Sequence, residues 1–163
     1  MPPTRQPPVK AEDGHQVLDL DRYVPYFLVA VTNAITRGAG REYLAREGIG
    51  IMDWRVMTTL AISPGCAAHD ITTLVHLDKG AVSRSLTALE GRGLATSTSQ
   101  TTDPRRKSWR LTRAGWDLHD QILPVALQRE QRLLSGVTPD ELEVLLTVMR
   151  KLRGNLDNLE EEW

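Results

Sequence analysis

The chain of 163 residues is poor in cysteine, in aromatic residues and in long apolar runs. Its single cysteine, Cys66, excludes an intramolecular disulfide framework and suits a reducing compartment. No stretch approaches the apolar length that spans a bilayer, so we expect no membrane partner. The first ten residues hold four prolines and no apolar core, which fits neither a signal peptide nor a membrane anchor. These features predict a cytoplasmic protein.

The sequence also lacks the motifs of common catalytic and cofactor-binding sites. It contains no Gly-rich phosphate loop, no His-Glu-x-x-His and no Gly-x-Ser-x-Gly pattern. Cys66, His69 and His76 match no zinc-ligand spacing. His119 and Asp120 are neighbours on a predicted helix, so we expect their side chains to diverge and not to form a catalytic dyad. The chain is therefore predicted not to be an enzyme and to need neither a cofactor nor a metal ion.

Basic residues are concentrated in one segment, although the formal net charge is only −1. Between residues 78 and 113, eight lysines and arginines stand against three acidic residues, which leaves the rest of the chain acidic. Contact with phosphates depends on a local basic face and not on net charge. This segment therefore predicts contact with nucleic acid, the alternative being a solvated surface without a partner.

Hydrophobic spacing predicts a mainly α protein with one small β-hairpin. Residues 1–17 are expected to form a flexible arm, because prolines are followed there by polar residues. Residues 18–163 are expected to form a single domain. The pattern predicts helices over about 19–47, 52–62, 67–75, 78–91 and 112–134 (kinked at Pro124), a last helix from Thr138, and strands over 94–98 and 107–111.

The third and fourth predicted helices are spaced like a helix-turn-helix. Val82, Leu86 and Leu89 lie on one side of the fourth helix and predict its buried stripe. Small or polar residues fall on the opposite side: Gly80, Ser83, Arg84 and Thr87. Such a face allows close approach to DNA and offers hydrogen-bond donors to base edges or phosphates. An ordinary amphipathic surface helix is the alternative.

The two predicted strands form a hairpin with a charged tip. Asp103-Pro-Arg-Arg-Lys107 makes up this tip, in which Asp103 is placed to hold Arg105 through a salt bridge. An arginine projecting from a stiff turn suits the negative potential of a narrow minor groove. Trp109 and Leu111 point to the same side of the second strand and predict its buried face.

The last predicted helix carries an apolar seam with heptad spacing. Its members are Leu142, Leu145, Met149, Leu152, Leu156 and Leu159. Thr138-Pro-Asp-Glu141 combines a capping box with a proline at the first helical position, which fixes the helix start. A seam of this kind needs a partner, either the core of its own chain or a second chain.

These motifs resemble the MarR (multiple antibiotic resistance regulator) family. The resemblance is carried by Asp103 and Arg105, by Leu111-Thr112-x-x-Gly115, and upstream by residues 78–86 and Arg92-Gly93-Leu94. It implies a winged helix-turn-helix lobe over 52–111 and dimerisation helices over 18–47 and 112–163. It also implies a homodimeric regulator, acting as a repressor, on a palindromic double-stranded operator.

The resemblance assigns roles to residues on the predicted DNA face. It implies that Arg105 reads the minor groove with Asp103 as its positioner, and that Gly80, Ser83 and Arg84 contact the major groove. Phosphate contact is expected for Lys79, Arg106 and Lys107. A winged-helix module that binds only proteins is the alternative, although its interface would more often show exposed apolar residues.

The resemblance further implies a small aromatic or phenolic acid, or its thioester, as the effector that releases DNA. Aromatic walls beside a cationic or imidazole group would suit such a ligand. The candidate residues are Tyr26, Asn33, Trp54, Arg55, His69 and Trp116. Redox sensing through Cys66 is a further alternative, since a helix N-terminus lowers the pKa of a thiol.

Overall fold

The computed structural model describes residues 6–99 and 107–156. The chain divides into two compact units, Met1–Leu123 and Pro124–Trp163. The strands are β1 (Val9–Glu12), β2 (His15–Leu18), β3 (Ala95–Ser99) and β4 (Lys107–Leu111). The helices are α1 (Val24–Glu47), α2 (Ile51–Ile62), α3 (Ala68–Val75), α4 (Lys79–Gly91), α5 (Arg113–Leu133) and α6 (Pro139–Gly154). The predicted mainly α winged-helix class is confirmed. Within the described residues, no helix has the length and apolar character needed to cross a membrane.

The N-terminal segment forms a hairpin that the predicted flexible arm did not include. Strands β1 and β2 pair antiparallel, with Val9 opposite Leu18 and Glu12 opposite His15. Asp13 and Gly14 form the turn with positive φ values, a backbone conformation that glycine adopts at no steric cost. Residues predicted to belong to a flexible arm therefore form both strands and the turn of this hairpin.

Helix α1 begins at Val24, five residues later than predicted. Pro25 lies in its first turn, where a missing backbone N–H costs nothing. The residues before it form turns instead: the N–H of Arg22 donates to Asp19 O and that of Tyr23 to Leu20 O. The helix ends at Gly48, whose φ of 66° is left-handed.

The core of the first unit lies among α2, α3, α4 and the β3–β4 hairpin. Helix α2 contributes Val56, Met57 and Leu60, all fully buried. Helix α4 buries the predicted stripe: Val82, Leu86 and Leu89 are each 2% exposed or less. Asp78 caps α4 as its sequence position suggests, with Oδ1 accepting from the N–H of Ala81 at 2.8 Å.

Strand β4 pairs on both sides, which the sequence did not predict. On one side it pairs with β3, with Ala95 opposite Leu111 and Ser99 opposite Lys107. On the other, the N–H of Gly65 donates to Trp109 O at 2.7 Å, and the N–H of Trp109 donates to Cys66 O at 2.9 Å. The β3–β4 hairpin, called the wing below, is therefore fixed to the segment that precedes α3.

The second unit contains α6, whose start confirms the predicted capping box. Thr138 Oγ1 accepts from the N–H of Glu141 at 3.3 Å, and Glu141 Oε2 accepts from the N–H of Thr138 at 2.8 Å. These bonds lower the pKa of the Glu141 carboxyl, the backbone N–H of Thr138 most and its hydroxyl next.

The apolar seam of α6 remains accessible in the chain. No residue of this helix is buried. Leu145 and Met149 are exposed, and Leu142 and Leu152 are half-buried. The helix ends at Gly154, so the half-buried Leu156 lies beyond the helix and not within the predicted seam. Leu159 lies outside the described residues.

Candidate nucleic-acid interface

The outer face of α4 is polar and open to solvent. Its exposed residues include every predicted DNA contact on this helix: Lys79, Gly80, Ser83, Arg84 and Thr87. The opposite face holds the buried stripe of α4, so the helix cannot rotate these residues inward without exposing its core. The exposed side of the first nine residues of α4 therefore presents the polar side chains of Lys79, Ser83, Arg84 and Thr87 to solvent.

Gly80 keeps the start of α4 free of side-chain bulk. A Cβ atom built at Gly80 would lie 3.1 Å from Asp78 Oδ1 and 3.2 Å from Arg84 Nη1. The Arg84 guanidinium thus folds back over Gly80, toward the helix N-terminus. Thr87 is constrained differently, since its hydroxyl donates to Ser83 O at 3.0 Å. The Thr87 hydroxyl keeps acceptor capacity, while Arg84 keeps its donors available.

On the wing, Lys107 lies beside α4. Lys107 is exposed at the start of β4, and its Nζ lies 5.5 Å from the centre of the Trp109 ring. That distance permits a cation–π attraction that orients the lysine. Asp103, Arg105 and Arg106 lie outside the described residues.

A groove of about 440 Å³ separates α4 from the wing and α3. Its polar lining includes His69, Lys79, Ser83, Thr87, Glu90 and Lys107. The imidazole Nε2 of His69 lies 3.0 Å from Asp70 Oδ1. Two lysines and two hydroxyls therefore line a channel wide enough for extended polar contacts.

Arg92, one of the basic residues of the predicted face, is engaged elsewhere. Its Nη1 donates to Gly48 O at 2.7 Å and its Nη2 to Glu47 O at 3.2 Å, at the end of α1. Sequence reasoning missed this pair of bonds, because nothing in the spacing from 48 to 92 indicates contact. Glu90 is similarly engaged, since it accepts from Ser97 Oγ of β3 at 2.8 Å.

The Leu111-Thr112-x-x-Gly115 motif acts as a structural joint between the wing and α5. The Thr112 hydroxyl donates to Gly93 O at 2.6 Å and accepts from the N–H of Gly115 at 3.1 Å. A Cβ atom at Gly115 would overlap the backbone carbonyl oxygen of Leu94. Residue 115 must therefore be glycine, because the backbone of Leu94 occupies the place of its side chain.

Comparisons with known proteins agree with this geometry. A family model described as the MarR family matches residues 47–106. A MarR/EmrR family transcriptional regulator from Acinetobacter sp. ADP1 superposes with a TM-score of 0.80 at 27% identity, over 86% of this chain and 99% of that chain. The chain is thus similar to MarR-family transcriptional regulators, in sequence over residues 47–106 and in fold over most of its length. It is a DNA-binding transcriptional regulator, and proteins of this class are generally not enzymes.

Two further proteins extend this similarity. The HTH-type transcriptional regulator YdgJ of Bacillus subtilis is 25% identical over 126 residues, 77% of each chain. The PcaV transcriptional regulator of Streptomyces coelicolor, solved with its natural ligand, superposes with a TM-score of 0.73 at 21% identity. That comparison covers 83% of this chain and 95% of PcaV. The DNA-binding class disfavours the alternative of a module that binds only proteins.

Only some of the predicted effector residues come together. Trp54 is buried and stacks on His119, with ring centres 5.3 Å apart. Trp116 meets the same histidine edge-on at 5.5 Å, and Tyr43 meets Trp54 at 5.8 Å. The resulting aromatic cluster joins α1, α2 and α5. Tyr43 was not among the predicted effector residues, and no aromatic residue stands at helical spacing from it in the sequence, whereas His119 lies three residues after Trp116.

The other effector candidates lie apart from that cluster. Arg55 Nη2 contacts Thr36 Oγ1 at 3.4 Å. Tyr26 and Asn33 are exposed on α1, where Tyr26 packs edge-on against Phe27. His69 lines the groove beside α4 and not the tryptophan cluster. Within the described residues, no ring contact links any of these four residues to Trp54 or Trp116.

Cys66 has the properties of a structural thiol. Burial raises the pKa of its thiol, and the carboxylate of Asp70 raises it further. A raised pKa keeps the thiol protonated at neutral pH, which opposes the reactivity that redox sensing needs. This shift is opposite to the lowering that the redox-sensing alternative requires, and it agrees with an inert thiol.

Two expectations about chemistry concern His119 and the metal ligands. His119 Nδ1 lies 3.1 Å from Asp120 Oδ1, so these side chains do not diverge as predicted. Because the same imidazole is stacked on Trp54, the pair belongs to the aromatic cluster. Over residues 6–99 and 107–156, no three His, Cys, Asp or Glu side chains are grouped to hold a metal ion.

Proposed function

We propose that this protein is a cytoplasmic repressor that binds a palindromic operator as a homodimer and is released by a small aromatic acid or its thioester. The observation that carries the DNA-binding part is the division of α4. Its apolar stripe is fully buried, while Gly80, Ser83, Arg84 and Thr87 remain exposed. A helix held in this way can enter a major groove without losing its own core.

Individual contacts follow from the chemistry of the exposed side chains. Arg84 carries the planar fork that pairs bidentately with guanine, and Ser83 adds a hydroxyl donor beside it. Lys79 and Lys107 suit phosphates, because a lysine acts there as a compact point charge. Arg105 at the wing tip remains our prediction for the minor-groove contact, with Asp103 as its positioner and Arg106 on phosphate.

A dimer is supported by apolar side chains that each chain leaves uncovered. On α1 they include Val24, Phe27, Leu28, Val31 and Ile35, each at least 38% exposed. On α6, Leu145 and Met149 are at least 40% exposed, and Leu142 and Leu152 extend the same apolar side, with Leu156 just beyond the end of the helix. A two-fold dimer would separate its two α4 helices by about 34–36 Å, one turn of DNA, and would require a palindromic operator.

The aromatic cluster supports an aromatic effector. Trp116 is 38% exposed, whereas the adjoining Trp54 is 7% exposed. A flat apolar ligand could therefore reach the cluster beside Trp116. PcaV, whose fold is similar, was solved with a ligand.

Selection from random duplex DNA tests the DNA-binding proposal. We expect the parent protein to enrich a palindrome with half-sites about 10 base pairs apart. Arg84→Ala should weaken binding by about 1–3 kcal/mol and relax the preference at one position in each half-site. Lys107→Ala, the matched control for a phosphate contact, should weaken all sequences evenly and lower the salt slope by about one per subunit. Enrichment of no palindrome would contradict the proposal.

Thermal shift with a panel of phenolic acids and their thioesters tests the effector. We expect at least one compound to raise the melting temperature of the parent and to dissociate it from DNA. Trp116→Leu should abolish that shift while leaving binding to the selected DNA intact. His69→Ala, which alters the groove beside α4, should leave the shift unchanged. Stabilisation by no compound, or equal loss in both variants, would contradict an effector site at the tryptophan cluster.

A further inference from the structure

We infer that Arg92 is a positioning residue, which sets the angle of α4 relative to α1 and thereby the half-site spacing that the dimer accepts. The inference rests on the proposed dimeric binding to a palindrome. Arg92 lies within the basic segment, but its guanidinium is directed at the end of α1. It therefore serves DNA binding through α4 and not through a phosphate.

The backbone of Arg92 is fixed at the C-terminal end of α4. Its N–H donates to Ala88 O at 3.2 Å, and the next residue, Gly93, has a φ of 69°. The N–H of Leu94 then donates to Leu89 O at 2.9 Å, and both leucines are buried. This closing turn leaves Arg92 little freedom to move without moving α4.

The acceptors of Arg92 are equally well fixed. Gly48 O and Glu47 O belong to the last turn of α1, where carbonyl groups lack helical N–H donors and carry partial negative charge. The following residue, Ile49, is 1% exposed and holds this end of the helix in the core. A planar guanidinium that donates to two successive carbonyls restrains direction as well as distance.

A small change in the angle of α4 at Arg92 would move the N-terminal end of the helix, which carries the proposed DNA contacts. The helix has 13 residues and is about 20 Å long. A tilt of about 10° at its C-terminal end would displace its N-terminal end by about 3 Å, and productive contacts tolerate only about 0.5 Å. Because α1 also carries the proposed dimer surface, the same restraint relates the two α4 helices of a dimer.

Operators with altered spacing distinguish positioning from phosphate contact. The probes are the selected palindrome and versions with one or two base pairs added or removed between its half-sites. For Arg92→Ala we expect the affinity for the operator of selected spacing to fall about fivefold to tenfold. The affinity for operators of altered spacing should fall less, so the variant should discriminate less between spacings than the parent does. The salt slope should equal that of the parent. Arg92→Lys, which keeps the charge but not the fork, should lie between the two.

Arg46→Ala is the matched control. Arg46 also lies in the last turn of α1, but its Nη1 reaches Glu42 of the same helix at 3.6 Å. This variant removes the same charge near the same helix end, and we expect its spacing preference to match the parent. A salt slope lower by about one per subunit in Arg92→Ala would instead make Arg92 a phosphate contact. An unchanged preference, or a lower melting temperature with even weakening at every spacing, would also overturn the inference. Failure of the parent to select a palindrome would refute the proposed function instead.

Discussion

Helices α4 and α6 both carry apolar stripes, but only the stripe of α4 is buried against other elements of its own unit. Leu86 and Leu89 of α4 are at most 2% exposed, packed with α2, α3 and the wing. Leu145 and Met149 of α6 are 44% and 40% exposed. The same periodicity therefore contributes to folding stability in one helix and remains available for association in the other.

The difference has an energetic consequence. Burial of apolar surface stabilises a fold by about 25 cal/mol per Å², so the stripe of α4 contributes to the stability of a single chain. The exposed stripe of α6 can contribute that amount only when a second surface covers it. Stability that depends on α6 should therefore depend on protein concentration, whereas stability that depends on α4 should not.

Matched leucine substitutions give the sharpest test of this comparison. Leu86→Ala should lower the free energy of unfolding by about 3 kcal/mol at any protein concentration, because it leaves a cavity in the core. Leu145→Ala should leave the unfolding of the monomer almost unchanged and weaken the dimer. Chemical denaturation at several concentrations and sedimentation equilibrium would measure the two effects. An equal loss of monomer unfolding free energy in Leu86→Ala and Leu145→Ala would contradict this distinction between α4 and α6.

Substitution of Gly115 tests the close packing that joins the DNA-binding unit to α5. Gly115→Ala should destabilise the protein by about 2–3 kcal/mol, because the new methyl group would overlap the carbonyl oxygen of Leu94. The control is Gly91→Ala, since nothing lies within 4 Å of a Cβ atom at that helical position. Thermal unfolding should show the control to be neutral or slightly more stable. If Gly115→Ala were as stable as the parent, the backbone of Leu94 would have to move to make room for the new methyl group.

Acid titration tests the capping box of α6 and should give the smallest effect. The folded state lowers the pKa of Glu141 below its usual value near 4.5. The stabilisation is therefore complete above that value and is lost as the pH falls through the lower, folded pKa. Glu141→Gln should be less stable than the parent at pH 7 and equally stable once the pH is well below 4.

Urea unfolding at each pH would measure that difference, with Glu143→Gln as the control. Glu143 is exposed on the same helix and lies outside the capping box. Its substitution should produce no comparable convergence with the parent at low pH. A stability gap for Glu141→Gln that is constant with pH would show that the capping carboxylate is not responsible.

Local features of this chain were predictable from sequence because their causes lie within a few residues. Asp78 caps α4, Thr138 and Glu141 cap α6, and Trp109 and Leu111 are buried in β4 as their alternation predicts. Helix α1 is shorter than its hydrophobic spacing predicts, because Pro25 marks its first turn. The exposed face of α4 followed from the periodicity that located its buried stripe.

Features that join distant segments were not predictable. The bond from Arg92 to Gly48 spans 44 residues, and the pairing of Cys66 with Trp109 joins the start of α3 to the wing. The stacking of Trp54 on His119 likewise depends on how α5 meets α2. No local rule relates such positions, because their proximity results from the packing of the whole unit.

The sequence by itself determined the helix caps, the polar face of α4 and the resemblance to the MarR family. Charge and periodicity are properties of short segments, so they survive without a tertiary context. Only the tertiary structure decided that Arg92 serves α1 and that Gly115 faces a backbone oxygen. Only it also showed that the thiol of Cys66 is shielded beside Asp70. Donors, acceptors and free volume are shared among segments far apart in the chain, and their allocation is fixed only when those segments pack together.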